Sequence, residues 1–147
     1  MDKIREAFEL SKKLHKNQTD KAGKDYFNAH ILKVFNGVGG FDSTPEELGI
    51  VALLHDAVED TDLKINQIYD KFGERVYDAV KALTKDKDND EDYFEYIENI
   101  KANELAKQVK IADLKHNSDL SRLDEVSNED YERKRKYMQA LDILEGS

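Results

Sequence analysis

The run Leu48-Gly49-Ile50-Val51-Ala52-Leu53-Leu54 contains no polar side chain. Ser43-Thr44-Pro45-Glu46-Glu47 precedes it with the marks of a helix start: a capping hydroxyl at Thr44, proline at the first helical position and acids in the first turn. A helix that is apolar on every side offers no face to water, so it must lie at the centre of its fold. The run ends in His55-Asp56-Ala57-Val58-Glu59-Asp60, which places four ionisable side chains at the end of a buried helix. Buried charge without a partner is costly, so the helix must either emerge into solvent here or meet a compensating ion.

The rest of the chain supplies helices to surround it. Over residues 2–16, Ile4, Ala7, Phe8, Ser11 and Leu14 recur at three- and four-residue steps and share one face. Residues 17–25 are polar except for Ala22 and read as a loop. Residues 26–36 give a second helix, with Tyr26, Ala29, His30, Val34 and Phe35 near one side, ended by Gly37, Gly39 and Gly40. Further helices are expected at residues 62–73, 74–83, 93–100 and 102–120. A last one over 128–144 is capped by Asn128. Residues 84–92 form a charged loop. Convincing strand alternation is absent, and Pro45 is the single proline. The expected fold is all-α: a compact bundle of about seven or eight helices around the helix of residues 48–60, with residues 1–147 as one domain.

Charge and composition narrow the function. Lys and Arg number 23 against 32 Asp and Glu, a formal charge of −9, which disfavours binding to phosphate backbones. Lys101, Lys107, Lys110, Lys115 and Arg122 are read mostly as solvated helix faces. The absence of cysteine excludes disulfides, a thiol nucleophile and sulfur-ligated zinc. The N-terminus has no apolar signal core and no stretch is long enough to span a bilayer, so a cytoplasmic chain with no membrane or nucleic-acid partner is expected. Nothing in the composition sets an oligomeric state.

Ligand chemistry emerges from spacing. His55 and Asp56 are adjacent, about 100° apart around a helix, and can both reach an ion between their directions. His55 and Glu59, and Asp56 and Asp60, are four residues apart and edge the same cleft. His30 lies on the apolar side of its helix. In Val109-Lys110-Ile111-Ala112-Asp113-Leu114-Lys115-His116-Asn117, Asp113 falls beside the buried face marked by Leu105, Val109 and Ala112, with Asn117 one turn on. His30, His55, Asp56 and Asp113 together offer two imidazoles and two carboxylates. This mixed set suits manganese, iron or zinc.

The order of these pieces resembles the HD-domain metal-dependent phosphohydrolases. In finer detail it resembles the hydrolase domain of the RelA/SpoT family and the small alarmone hydrolases. The matching residues are His15, Gln18 and Gly23, Tyr26-Phe27-Asn28-Ala29-His30, Ala52 to Thr61 around the His-Asp pair, Phe72-Gly73, and Val109 to Asn117. They extend over most of residues 7–123. The resemblance implies a metal, usually manganese, held by His30, His55, Asp56 and Asp113, with Glu59 and Asp60 assisting the attacking water. It implies a small nucleotide substrate, foremost guanosine tetra- or pentaphosphate losing its 3′-pyrophosphate, contacted by Lys21, Tyr26 and Asn117. His15 is read as a structural histidine bonded to backbone, and His116 as a packing residue. The sequence departs from the family at Asp20, Asp25 and Ile31, where arginine, proline and proline are usual. The chain is expected to act without a nucleotide-synthesising domain after Ser147. Two other readings accompany this one: an HD phosphohydrolase of another phosphorylated nucleotide such as NADPH, and a non-catalytic HD fold serving as a binding or sensor module.

Overall fold

The computed structural model describes residues 2–20, 22–85, 92–119 and 125–146, so Lys21 and Arg122 lie outside the described residues. Helix α1, Lys3–Leu14, begins where the Asp2 carboxylate accepts from the Arg5 backbone N–H at 3.2 Å, satisfying one orphan donor of the first turn. Its buried residues are Ile4, Ala7 and Ser11. A π-helical turn, Phe27–Ile31, runs directly into α2, Leu32–Gly37. After a 3₁₀ turn at Gly40–Asp42 come α3, Glu46–Leu54, and the short α4, Ala57–Asp60. Then follow α5, Ile65–Phe72, α6, Glu74–Leu83, α7, Tyr93–Lys101, α8, Glu104–Asn117, and α9, Asn128–Glu145. Among the described residues there is no β-strand, only an isolated bridge between Thr19 and Asp25. The fold is all-helical, and with α4 counted as the continuation of α3 there are eight helices among the described residues.

The apolar run behaves as its composition demands. Every residue from Leu48 to Leu54 is buried, and α3 packs against α1, α2, α6 and α8. Gly49 lets α1 and the 3₁₀ turn approach α3 closely. A Cβ there would lie 2.7 Å from Ile4 Cδ1 and 3.1 Å from the Gly40 carbonyl oxygen, inside van der Waals contact.

Several boundaries differ from the sequence expectation. Pro45 is not the first helical residue: its backbone is extended (φ −70°, ψ 166°) and Glu46 opens α3. Thr44 does not cap the helix, because its hydroxyl turns back to the Asp42 carbonyl at 3.4 Å. Ser127, not Asn128, caps α9. Its hydroxyl accepts from the Asp130 N–H at 3.1 Å, while the Asp130 carboxylate accepts from the Ser127 N–H at 3.0 Å. The central helix does not run unbroken through residues 48–60; it stops at Leu54 and resumes at Ala57. The reason lies in the site that this break builds.

Candidate metal centre

At the end of α3 the last carbonyls need partners, as at any helix C-terminus. Ser11 of α1 donates its hydroxyl to the Leu53 oxygen at 2.7 Å, and His55 donates Nδ1–H to the Ala52 oxygen at 2.6 Å. Asp56, at φ −106°, ψ −2°, then stands between the end of α3 and the start of α4. These bonds turn the two side chains of the junction inward. A carbonyl can only accept, so the bond at Nδ1 fixes the proton there and leaves Nε2 of the neutral ring with its lone pair.

His30 arrives from the π-helical turn and Asp113 from α8. Their polar atoms converge with those of the junction. His30 Nε2 lies 2.9 Å from Asp113 Oδ1 and 3.7 Å from Asp56 Oδ2. His55 Nε2 lies 3.2 Å from Asp56 Oδ2 and 3.7 Å from Asp113 Oδ1. The ligand atoms of His30, His55 and Asp56 all fall within 4.8 Å of one another. His30, His55 and Asp113 are buried, while the Asp56 side chain keeps 22% exposure, so the cluster opens to solvent beside Asp56.

The donor set fits a divalent ion. Among the described residues the buried His55 Nε2 has no aligned hydrogen-bond partner, although carboxylate oxygens lie 3.2 and 3.7 Å away. Two neutral imidazoles and two carboxylates balance a dication with nitrogen and oxygen donors. In the protein without metal, protons take over that role. Burial pulls the His55 imidazole down, but the Asp56 and Asp113 carboxylates more than offset this and hold it well above the usual histidine range. Burial likewise pushes Asp56 up, and His55 outweighs it, bringing Asp56 down to about 2.

Around the cluster, Asp56 is held by Tyr26 from another element and Asp113 by neighbours one turn away on α8. The Tyr26 hydroxyl donates to Asp56 Oδ2 at 2.5 Å, and burial together with the Asp56 charge keeps that phenol protonated. The Asn117 amide donates to Asp113 Oδ1 at 3.0 Å. The two residues that the sequence assigns to the nucleotide thus bond the acids, and both remain half-buried. Lys110 donates to Asp113 Oδ2 at 3.1 Å and lies over the Tyr96 ring, 5.4 Å from its centroid. Its side chain is only 14% exposed, so it is not the solvated lysine that the sequence suggested. Burial alone would pull its ammonium down, and Asp113 more than offsets this, so it stays charged. The (i, i+3) spacing of Lys110 and Asp113 was the available signal.

Glu59 is half-buried rather than exposed, and its carboxylate accepts from the Lys85 backbone N–H. Burial, reinforced by Asp56 and Asp60, raises its pKa. Asp60 is exposed, and its backbone oxygen accepts from the Gln18 amide at 3.0 Å. Gln18 also meets His15, whose Nδ1 lies 2.9 Å from Gln18 Oε1. His15 is thus structural, as expected, but is bonded to a side chain rather than to backbone. His116 does more than pack: its Nδ1 lies 2.8 Å from His30 Nδ1.

An all-helical fold with a buried His/Asp cluster at a broken central helix defines the class of this molecule. The HD-domain family model matches residues 7–143, and the chain belongs to that family. In sequence it is 38% identical over 84 residues to a guanosine-3′,5′-bis(diphosphate) 3′-pyrophosphohydrolase of Aquifex aeolicus, covering 57% of this chain and 12% of that one. It is 34% identical over 85 residues to a GTP pyrophosphokinase of Myxococcus xanthus, covering 58% and 11%. The chain therefore spans about a tenth of the length of these curated relatives. In structure it is similar to a metazoan ortholog of SpoT that hydrolyzes ppGpp and plays a role in starvation responses. That similarity has a TM-score of 0.79 and 26% identity, over 99% of this chain and 87% of the other. HD-domain membership implies a divalent metal, and among the described residues no helix is long and apolar enough to cross a membrane.

Proposed function

We propose that the chain is a manganese-dependent phosphohydrolase of nucleotides that converts guanosine-3′,5′-bis(diphosphate) to GDP and pyrophosphate. The observation that carries this reading is the convergence of His30, His55, Asp56 and Asp113 at the broken end of α3, with a buried imidazole nitrogen lacking an aligned partner among the described residues. The names of the relatives support the substrate. A cation held by those four residues supplies Lewis-acid polarisation of a phosphoryl oxygen and acidifies a water.

The chain's own groups do the rest. Asp56 at the opening is fixed by Tyr26, and Asp113 by Lys110 and Asn117, so neither carboxylate must reorganise. Glu59, raised by burial and held at one oxygen by the Lys85 N–H, is suited to take a proton from the attacking water. Asp60, exposed one residue on, orients that water. Tyr26 and Asn117, both partly exposed, and Lys21 are assigned to the nucleotide.

The test is incubation of the chelator-treated protein with ppGpp, NADPH and a nucleotide panel, with and without Mn²⁺, and identification of products by mass. GDP and pyrophosphate appearing only with Mn²⁺ is the expected result. Phosphate from NADPH without ppGpp turnover would replace the substrate and keep the chemistry. Turnover of nothing in the panel would leave a binding module.

A further inference from the structure

The two buried imidazoles of the centre are supported differently. His55 Nδ1 faces a carbonyl oxygen, which dictates its tautomer. His30 Nδ1 faces another imidazole nitrogen, His116 Nδ1, at 2.8 Å. Two such nitrogens at that distance share one proton, and either ring can supply it. On its other side, His30 Nε2 lies 2.9 Å from Asp113 Oδ1, a good distance for Nε2–H to donate to the carboxylate. The rings are 4.9 Å apart at 39°, and His30 lies within polar contact distance of Asp113 on one side and His116 on the other.

We propose that His116 is a positioning residue that selects the tautomer of His30 and lets it change when a metal enters. Without metal, His116 Nδ1–H donates to His30 Nδ1, and His30 Nε2–H donates to Asp113. With metal, Nε2 must offer its lone pair, so the His30 proton sits on Nδ1 and is donated to His116 Nδ1, whose own proton sits on Nε2. Each neutral ring carries one proton in both arrangements, so the change is a relocation and not a loss. A carbonyl in place of His116 would allow only the second arrangement, and an apolar residue would leave the His30 Nδ1 group unpaired in a buried site. The ring at position 116 therefore serves both states of the centre.

The inference rests on the metal reading above, and the test separates the two. The full chain has 4 histidines, so their ring nitrogens are resolvable by long-range ¹H–¹⁵N correlation. Spectra of the metal-free and Zn²⁺-loaded protein should show the His30 proton on Nε2 and then on Nδ1. Zn²⁺ affinity by competition titration should fall roughly 10- to 100-fold in His116→Leu, the usual cost of losing a group that orients a ligand. His116→Gln, which can accept or donate by turning its amide, should recover most of that loss. Failure of the unsubstituted protein to bind Zn²⁺ overturns the metal site and this role with it. Normal binding with unchanged affinity in His116→Leu, or equal loss in both variants, overturns the role of His116 alone. A His30 proton that stays on the same nitrogen in both states also overturns it.

Discussion

The loop of residues 17–25 and the junction between α3 and α4 are both short polar breaks between helices, and each carries an aspartate where the chain bends. In the loop, Asp20 Oδ1 accepts from the backbone N–H groups of Ala22 and Lys24, both at 2.9 Å. Gly23 supplies the positive φ of 79° that closes the turn. At the junction, Asp56 receives its hydrogen bond from Tyr26, a side chain of a different element, and faces two imidazoles. The difference is one of available donors. Asp20 is engaged by its own loop, whereas Asp56 and Asp113 sit where local backbone donors are consumed by helices. They must draw on Tyr26, Asn117, Lys110 and the histidines. An acid bonded to its own loop's backbone shapes a loop; acids bonded to side chains and facing imidazoles build a site.

The largest effect expected from breaking this comparison is at Asp113. Removing the carboxylate in Asp113→Ala strands the Lys110 ammonium in a buried position, which typically costs about 3–5 kcal/mol. Urea unfolding of the metal-free variant should show that loss. The companion Asp113→Leu/Lys110→Met double variant should recover most of it, because no charge is left unpaired. If both variants unfold at the midpoint of the unsubstituted protein, the Lys110–Asp113 pair contributes nothing to the fold.

Next in size is Glu59. Glu59→Gln keeps the shape of the side chain and should keep the metal and the fold, while the rate of ppGpp hydrolysis drops by roughly 10²-fold or more. A pH–rate profile sharpens the assignment. The limb governed by Glu59 should sit above the usual carboxylate range, because burial raises that group. Near-normal turnover in the variant would remove Glu59 from the chemistry.

Asp20 should show the smaller, local effect. Asp20→Ala loses two hydrogen bonds to backbone and should destabilise by about 1 kcal/mol, with metal stoichiometry unchanged. Asp20→Arg removes the same two bonds, so its effect on ppGpp turnover combines a charge change with a disturbed loop. A metal loss in Asp20→Ala equal to that in Asp56→Ala would erase the distinction between the two regions.

The same cluster gives a dependence on pH that reverses with metal. His55 has its pKa raised in the folded, metal-free protein, so the stability it contributes is fully present below about pH 6.5 and is lost as pH rises through the raised value. Asp56 is lowered to about 2, so its contribution is present above about pH 4 and is lost as pH falls toward 2. Thermal unfolding of the chelated protein should therefore show stability declining on the alkaline side. Metal affinity should rise over the same range, since His55 must lose its proton to bind. Parallel trends with and without metal would contradict the proton-for-metal exchange.

Much of this was legible in the sequence, for reasons that particular residues make clear. The apolar run at Leu48–Leu54 left no alternative to a central helix, and the charged tail after it had to find partners. His30 and Asp113 were readable because each polar residue fell beside an apolar stripe. The sequence suggests a solvated Lys110 because spacing marks which way a side chain starts but not that Tyr96 and Asp113 enclose its end. His116 was read as packing because its partner lies 86 residues away in the chain. The stop at Leu54 leaves no mark because the run before it is apolar on every side, and the π-helical turn at His30 is only five residues, too short for a change of phase to be read. Asp20 was legible as a departure from its family, but its role depends on loop backbone geometry that composition does not express.

The central claim is that four side chains from three separated segments form one metal centre. Its most direct test is calorimetric titration of Mn²⁺ into the chelator-treated protein and into Asp113→Ala, Asp56→Ala and Asp20→Ala. One ion per chain is expected in the unsubstituted protein and in Asp20→Ala, and none of comparable affinity in Asp56→Ala or Asp113→Ala. One tightly held ion per chain in Asp113→Ala, with the protein folded, would contradict it.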